Sequence, residues 1–330
     1  MSKITFAQAL RDAMREEMRQ DENVFLMGED IGLYGGCFGV SRGMLEEFGE
    51  KRIVETPISE TAFTGAGVGA SLMGLRPIIE IMFGDFVSLT FDPIVNHAAK
   101  YYFMTAKQVH VPLVLRTPFG SGTGAAAQHS QSLESAYLNT PGLKVIMPST
   151  PYDAKGLLKS AIRDNSPVMF FENKLLYRTE GEVPQEEYTI PIGKADIKRE
   201  GTDITLITYS RMVQVCLNAA EELAKEGIDA EVLDLRTLRP LDTELITESV
   251  KKTSRALIVY EAPQFGGFGG EIAAQINESE AFYYLDAPVK RLGGAEMPVP
   301  YSPALEKEIV PTVSKVVNMV KSMLGNTDGR

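Results

Sequence analysis

From Lys144 to Glu172 the sequence runs KVIMPSTPYDAKGLLKSAIRDNSPVMFFE. Lys144 to Met147 and Val168 to Glu172 are short apolar runs of strand character. Between them, Tyr152 to Asp164 follows Pro151, a residue tolerated in a first helical turn because it has no N–H to satisfy there. Asn165 and Pro167 supply a stop at the far end. A strand, a crossover helix and a second strand make the repeating unit of a parallel sheet with helices on its faces.

The same alternation extends in both directions. Upstream, Val24 to Met27, Arg52 to Glu55, Pro77 to Met82 and Val111 to Arg116 read as strands. Phe6 to Arg19, Glu60 to Met73 and Phe86 to Tyr102 read as helices. Downstream, Thr179 to Gly201 breaks the pattern: it is acidic, interrupted by proline, and reads as a connection with one short strand around Tyr188-Thr-Ile-Pro-Ile-Gly193. Beyond it, strands are expected at Ile204 to Tyr209, Ala230 to Leu235, Ala256 to Tyr260 and Val289 to Leu292. Helices are expected at Val213 to Lys225, Thr243 to Lys251, Glu271 to Ile276 and Ile309 to Met323. The fold class is α/β with two domains, each a mainly parallel sheet flanked by helices, over 1–180 and 201–330 with a linker at 181–200.

Composition narrows the function. A chain of 330 residues with 44% hydrophobic and 23% charged residues is ordinary for a globular protein. A balance of 33 basic against 44 acidic residues, net −11, disfavours nucleic acid and anionic membrane as partners. No run approaches the roughly 20 apolar residues of a membrane helix, and Met1 to Gln20 lacks the apolar core of a secretory signal, so a cytoplasmic protein is expected. Cys37 and Cys216 suit a reducing compartment, and they show no metal-type spacing with each other or with His97, His110 and His129.

Two glycine clusters invite a nucleotide reading. Gly65-Ala-Gly-Val-Gly69 lies inside an expected helix, where close packing is the simpler role. Gly266-Gly-Phe-Gly-Gly270 follows a strand and precedes a helix, which permits phosphate binding, but no acidic ribose ligand stands at the expected distance and a tight turn is the simpler role. Glu29 and Glu60 each follow a strand, at the edge where open sheets place ligands. By spacing alone, stabilising a helix dipole in the first turn is the favoured role for such a glutamate. His129, in Gln128-His-Ser-Gln131, is flanked by polar residues and glycines and is either catalytic or solvated.

Taken in order, Met27-Gly-Glu-Asp30, Thr56-Pro-Ile-Ser-Glu60, Asn96-His-Ala-Ala-Lys100, Ala127-Gln-His-Ser-Gln131, Pro141-Gly-Leu-Lys-Val145, Pro151-Tyr-Asp-Ala-Lys-Gly-Leu-Leu158 and Ala161-Ile-Arg-Asp164 resemble the beta subunits of thiamine-diphosphate-dependent 2-oxo acid dehydrogenases. The resemblance continues through Leu233-Asp-Leu-Arg-Thr237 and Glu261-Ala-Pro263 and covers nearly the whole chain. It implies a pyrimidine-binding first domain and a second domain similar to the last domain of transketolase. The Gly-Asp-Gly motif that ligates magnesium and diphosphate in such enzymes is absent, Gly84-Asp-Phe86 being the nearest approach. The resemblance therefore implies a partner alpha subunit that holds diphosphate and magnesium, an α2β2 heterotetramer, and a lipoyl-bearing dihydrolipoamide acyltransferase core.

Roles follow from the same resemblance. Glu60 is expected to hydrogen-bond N1′ of the aminopyrimidine and so favour loss of the thiazolium C2 proton. Phe86 is expected to pack on that ring, with Ile58 and Met82 as neighbouring cofactor contacts. Glu29 matches an acidic residue of a proton path between two active sites, and His129 one that faces substrate and acceptor. Leu113, Ala161, Ile162 and Asp164 match the ligands of a monovalent cation, potassium, although Ser166 replaces an asparagine usual in the animal pyruvate enzymes. Pyruvate is the expected substrate, and Phe119-Gly-Ser-Gly-Thr-Gly124 and Met297-Pro-Val-Pro-Tyr301 resemble the pyruvate and acetoin relatives. Acetoin and branched-chain 2-oxo acids are alternatives, as are a docking subunit without catalysis and a nucleotide-binding dehydrogenase built on Gly266 to Gly270.

Overall fold

The computed structural model describes residues 1–325; residues 326–330, the end of the stretch expected to form the second domain, lie outside the described residues. The first half runs β1 (Ser2–Thr5), α1 (Phe6–Gln20), β2 (Val24–Gly28), α2 (Met44–Phe48), β3 (Ile53–Glu55), α3 (Glu60–Leu72) and β4 (Arg76–Glu80). A 3-10 turn (Gly84–Thr90) and a π-helical segment (Asp92–Ala98) lead into α4 (Ala99–Met104), β5 (Val114–Phe119), α5 (Ser135–Leu138), β6 (Lys144–Ile146), α6 (Pro151–Arg163) and β7 (Val168–Asn173). After β8 (Glu180–Val183), the second half contains β9 (Asp196–Arg199), β10 (Ile204–Thr208), α7 (Met212–Ala224), β11 (Ala230–Asp234), β12 (Thr237–Arg239) and α8 (Thr243–Thr253). It ends with β13 (Ala256–Pro263), α9 (Gly269–Glu278), β14 (Lys290–Gly294), α10 (Pro303–Ile309) and α11 (Val313–Gly325).

Local chemistry explains the best-formed elements. Thr5 caps α1 by accepting the Gln8 N–H at 3.2 Å, and Phe6, Leu10, Ala13 and Met14 bury one stripe of the helix. Thr150 caps α6 in the same way through the Asp153 N–H at 3.1 Å, with Pro151 in the first turn. These two helices pack together, and Glu16 of α1 receives Lys155 at 2.6 Å and the fully buried Lys159 at 2.7 Å.

Seven strands form the first sheet in the order β12-β6-β7-β5-β4-β2-β3, parallel except for β12. Five form the second in the order β14-β13-β10-β11-β9, with only β9 antiparallel. β1 and β8 pair by themselves. The two-sheet α/β expectation holds. β12 comes from the second half of the chain yet closes the edge of the first sheet, against β6. The apolar core is accordingly shared: Leu138 and Val145 belong to the same buried cluster as Leu235 and Leu238.

Four of the expected elements differ, and β1, α2, α5, β8, β9 and β12 are additions, β8 and β9 falling within the stretch from Thr179 to Gly201 that reads as a connection. The helix expected at Phe86 to Tyr102 is a 3-10 turn, a π segment and α4, with Pro93 near the join, where its missing N–H cannot extend a regular ladder. The helix expected at Ile309 to Met323 begins four residues later, as α11 at Val313 after Pro311, and Ile309 instead ends the separate α10. The strand expected at Val111 to Arg116 begins three residues later, after Pro112. Around Tyr188 there is no strand; the Tyr188 ring stacks on Tyr152 with centroids 4.8 Å apart, and Ile190 covers Gly156 of α6.

Arg116 of β5 sits at the centre of the first sheet and is 1% exposed. Its Nε and Nη2 donate to the two oxygens of Glu172 on β7 at 2.8 and 2.6 Å, and its Nη1 donates to Glu80 on β4. Tyr177 adds a hydroxyl donor to Glu172 at 2.7 Å. Burial pushes the Glu80 carboxyl up from its ordinary value, with Arg116 opposing the shift. Substituting Arg116→Met removes the cation shared by two buried carboxylates, which costs about 3–5 kcal/mol when one partner of a buried pair is lost. Urea unfolding of the variant measures this directly, and a loss below about 1 kcal/mol would show that the carboxylates do not depend on Arg116.

Candidate active site at the carboxyl edge of the first sheet

Parallel strands expose the ends of their loops at one edge, and the candidate residues gather there. Glu29 follows β2 directly. Glu60 opens α3 after the turn that leaves β3. Met82 and Phe86 follow β4, and His129 lies in the loop after β5. β2 and β4 approach so closely here that a Cβ on Gly28 would stand 2.6 Å from the Glu80 carbonyl oxygen. That approach brings the loops after β2 and β4 side by side.

Glu29 and Glu60 form one group. Both are buried, at 5% and 6% exposure, and Glu29 Oε1 has no hydrogen-bond partner. Burial raises the Glu29 carboxyl to about 7, the charge of Glu60 adds to the rise, and the Ser59 N–H opposes it. Asp30 contributes a further like charge and adopts the left-handed backbone region, φ 54°, which turns the chain after Glu29. A glutamate at the first turn of a helix is favoured by the dipole. Burial beside a second carboxylate suits Glu29 to hold a proton near neutral pH. Ile58, in the turn before Glu60, is 80% exposed.

Phe83, Phe86, His129 and Lys174 form a second group. The His129 ring meets Phe83 edge-on with centroids 4.7 Å apart and Phe86 at 5.5 Å, with interplanar angles of 81° and 82°. Lys174, at the end of β7, donates to the His129 carbonyl and lies 5.7 Å from the Phe83 centroid. Asp85 accepts both the main-chain and side-chain N–H of Gln131, at 3.2 and 2.8 Å, and is thereby turned inward. The two groups are joined through the 3-10 turn, where Thr61, next to Glu60, donates to the Leu89 carbonyl at 2.6 Å. Met82 is half-buried between them in sequence. Phe83 and Lys174 were not candidates from sequence; a charged residue ending an apolar strand was the signal for Lys174.

Leu113, Ala161, Ile162 and Asp164 lie elsewhere, around the carboxyl end of α6. The Leu113 carbonyl accepts the Val168 N–H at 2.8 Å, and that of Ala161 the Asp164 N–H at 3.3 Å. Arg76 donates to the carbonyls of Ile162, at 2.8 and 3.0 Å, and of Asp164, at 2.7 Å. The Asp164 carboxylate takes Lys144 and, at 2.8 Å, the Ser166 N–H. These oxygens suit a monovalent cation in kind, and Arg76 and Lys144 already supply positive charge among them.

Three cavities leave the carboxylate pair outside their lining. One of about 820 Å³ is lined by Arg255, Gln264, Asp286 and Lys290, one of about 600 Å³ by Ser135, Arg239, Gly267 and Arg291, and one of about 480 Å³ by Ser121, Ser130, Gln131 and Met297. Three of the clustered glycines are held by packing: a Cβ on Gly67 would come 2.6 Å from Ile79, and side chains at Gly267 or Gly269 would run into the Tyr260 ring.

Residues 2–180 match the family model of the transketolase pyrimidine binding domain, and residues 193–316 that of the transketolase C-terminal domain. The chain is 48% identical over 318 residues to 2-oxoisovalerate dehydrogenase subunit beta of Bacillus subtilis (strain 168), covering 96% of this chain and 97% of that protein. It is 46% identical over 334 residues to the acetoin:2,6-dichlorophenolindophenol oxidoreductase subunit beta of the same organism, covering 98% and 97%. To the mitochondrial pyruvate dehydrogenase E1 component subunit beta of Mus musculus it is 48% identical over 326 residues, covering 97% and 90%. The structure also resembles a split gene transketolase, inactive beta4 tetramer, with a TM-score of 0.80, 22% identity and 98% coverage of each chain, a likeness of fold alone.

The raised Glu29 carboxyl has a stability signature. The folded chain holds this proton more tightly than the unfolded chain, so its contribution is full below the ordinary glutamate range and is lost as pH rises through about 7. Relative to Glu29→Gln, the wild-type chain is therefore expected to lose stability between those limits. Urea midpoints of both proteins across this pH range provide the comparison, and parallel curves would place the Glu29 carboxyl back in its ordinary range.

Proposed function

We propose a function from one premise: the chain belongs to the transketolase-related beta subunits of 2-oxo acid dehydrogenases, by both of its domain matches and by relatives 46–48% identical across nearly its whole length. It is the beta subunit of a dehydrogenase component that decarboxylates a 2-oxo acid and passes the acyl group on. Pyruvate is the substrate proposed here, with acetoin and branched-chain 2-oxo acids as the alternatives carried by relatives of similar identity. The thiamine cofactor is thiamine diphosphate, lodged between unlike subunits. The proposed acceptor is the lipoyl group of an acyltransferase core. The assembly is an α2β2 heterotetramer, placed in the cytoplasm on composition; among the described residues no helix is long and apolar enough to cross a membrane.

The observation that carries this reading is the buried Glu29 and Glu60 pair beside the half-buried Phe86, on an edge where Ile58 is left uncovered. These residues fit the aminopyrimidine half of the cofactor: a carboxyl to share a proton with a ring nitrogen, a free acceptor at Glu29 Oε1, and apolar surface from Phe86, Met82 and Ile58. The thiazolium ring, when bound, supplies the electron sink for the carbanion that decarboxylation leaves. Glu60 holds the proton at the ring nitrogen, and burial keeps water from competing for it. Glu29 stands next to it as a second proton-holding group. His129 is held edge-on by two aromatic rings, an orientation that suits contact with substrate or acceptor.

Diphosphate and magnesium are assigned to the alpha subunit. Asp85, the one acidic residue of the partial motif, binds Gln131 through Oδ1 and leaves Oδ2 without a partner, but it stands alone: among the described residues no group of three or more His, Cys, Asp or Glu could hold a metal ion. Potassium at Leu113, Ala161, Ile162 and Asp164 is proposed as an ion that shares Asp164 with Lys144. Thermal midpoints in potassium and in tetramethylammonium chloride, for wild type and Asp164→Asn, decide it.

Co-expression with the cognate alpha subunit, followed by dye reduction with pyruvate, acetoin and 3-methyl-2-oxobutanoate, tests the function. Pyruvate is expected to give the highest kcat/KM. In the same complex Glu60→Gln is expected to leave assembly and unfolding temperature unchanged and to lower turnover by about 10²- to 10⁴-fold. Turnover with none of the three substrates would refute the reading, and full turnover in the Gln variant would remove Glu60 from the chemistry.

A further inference from the structure

The loop after β5, Gly120-Ser-Gly-Thr-Gly-Ala-Ala-Ala-Gln-His-Ser-Gln131, bonds to itself at two points of its main chain, Gly120 N–H to the Gln131 carbonyl at 3.2 Å and His129 N–H to the Ala126 carbonyl at 3.4 Å. Gly120, Gly122, Gly124 and Ala126 all take positive φ, at 91°, 100°, 67° and 61°, which keeps regular structure out of the stretch between. The other restraints come from outside, and mostly from the second domain. Glu261 at the end of β13 accepts the Ser121 N–H at 2.6 Å and the Ser121 hydroxyl at 2.9 Å. Glu306 of α10 accepts the Gly122 N–H at 2.6 Å on one oxygen and the Gly124 N–H at 3.1 Å on the other. Farther along, Lys174 takes the His129 carbonyl and Asp85 takes Gln131.

Glu306 is 3% exposed and stands 184 residues from Gly122 in sequence. A carboxylate buried on two main-chain N–H groups is a charge-assisted pair that fixes the direction of the backbone it binds. Burial pushes the nearby Lys174 ammonium down, and the charges of Asp85, Glu261 and Glu306 oppose the shift. One side chain of the second domain thus restrains the His129 loop directly, at Gly122 and Gly124.

We propose that Glu306 is a positioning residue that fixes the His129 loop from the second domain, so that the reach of His129 depends on how the two domains are joined. The proposal rests on His129 facing substrate or acceptor, as proposed above.

The test uses the assembled complex with Glu306→Ala, the isosteric Glu306→Gln, His129→Ala, the Ala double variant, and Glu308→Ala as an exposed control on the same helix. Two quantities are read: amide hydrogen exchange of residues 119–131, and kcat with KM. Glu306→Ala is expected to speed exchange at Gly122 and Gly124 by about 10-fold or more, as the loss of charged hydrogen bonds predicts, and to lower kcat. Glu306→Gln, which keeps one acceptor oxygen, is expected to fall between, and it carries the test if the Ala variant does not assemble. In the His129→Ala background Glu306→Ala is expected to lower kcat no further, whereas a merely structural role gives losses that multiply. Multiplying losses, or exchange at 121–125 equal to wild type, would overturn the proposal. Wild-type turnover in His129→Ala with fast exchange in Glu306→Ala would instead sink the role of His129 and leave Glu306 as the residue that holds the loop.

Discussion

The first domain depends on one buried cation. Arg116 bridges Glu80 and Glu172, and these three residues stand on adjacent strands β4, β5 and β7. The strands end in the segments that carry Met82 and Phe86, His129, and Lys174 respectively. A hydrophobic triad could pack as well, but it would not fix three strand ends by directed hydrogen bonds. Planar guanidinium geometry does so, because it meets Glu172 with two parallel bonds and keeps a third donor for Glu80. The site is thus anchored one layer beneath its own loops.

The join between domains uses the same device in reverse. Asp153 of α6 receives Lys198 at 2.8 Å and Arg236 at 2.7 Å, both from the second half, and Ser149 donates to Asp234 at 2.5 Å. Tyr209 donates to the fully buried Glu134 at 2.9 Å, and burial raises that carboxyl to about 7. Carboxylates on each side take donors from the other, and Glu134 keeps Oε2 without a partner. Separating the domains would expose each of them without its partner, which makes the interface part of the fold rather than a contact between finished parts.

The sequence made some of this legible and hid the rest for identifiable reasons. Strands buried on both faces, such as Val168 to Asn173, are continuous apolar runs and were readable almost to the residue, and α6 was bounded by Pro151 and Pro167. The 3-10 and π segments were not, because Asp92, Pro93 and Gly84 change the winding without changing the apolar content. Glu29 and Glu60 could be singled out as strand-end carboxylates, but their mutual burial is a property of β2 lying beside β3 and β4 in the sheet, which spacing does not state. Glu306 and Glu261 act over more than a hundred residues, and nothing local marks them.

β12 carries a consequence in time. During synthesis the open edge of β6 has no partner until Thr237 to Arg239 has been made, roughly 60 residues after β7 ends at Asn173. At ~5–20 residues per second that is a wait on the order of 3–13 seconds for a nascent chain. Throughout it, the apolar Val145-Ile-Met147 run keeps an unpaired backbone edge able to dock a second nascent chain. Ribosomes translating neighbouring copies on one message would be the most exposed to that mispairing, so codon speed between residues 173 and 239 bears on yield of folded protein as much as any contact in the finished molecule.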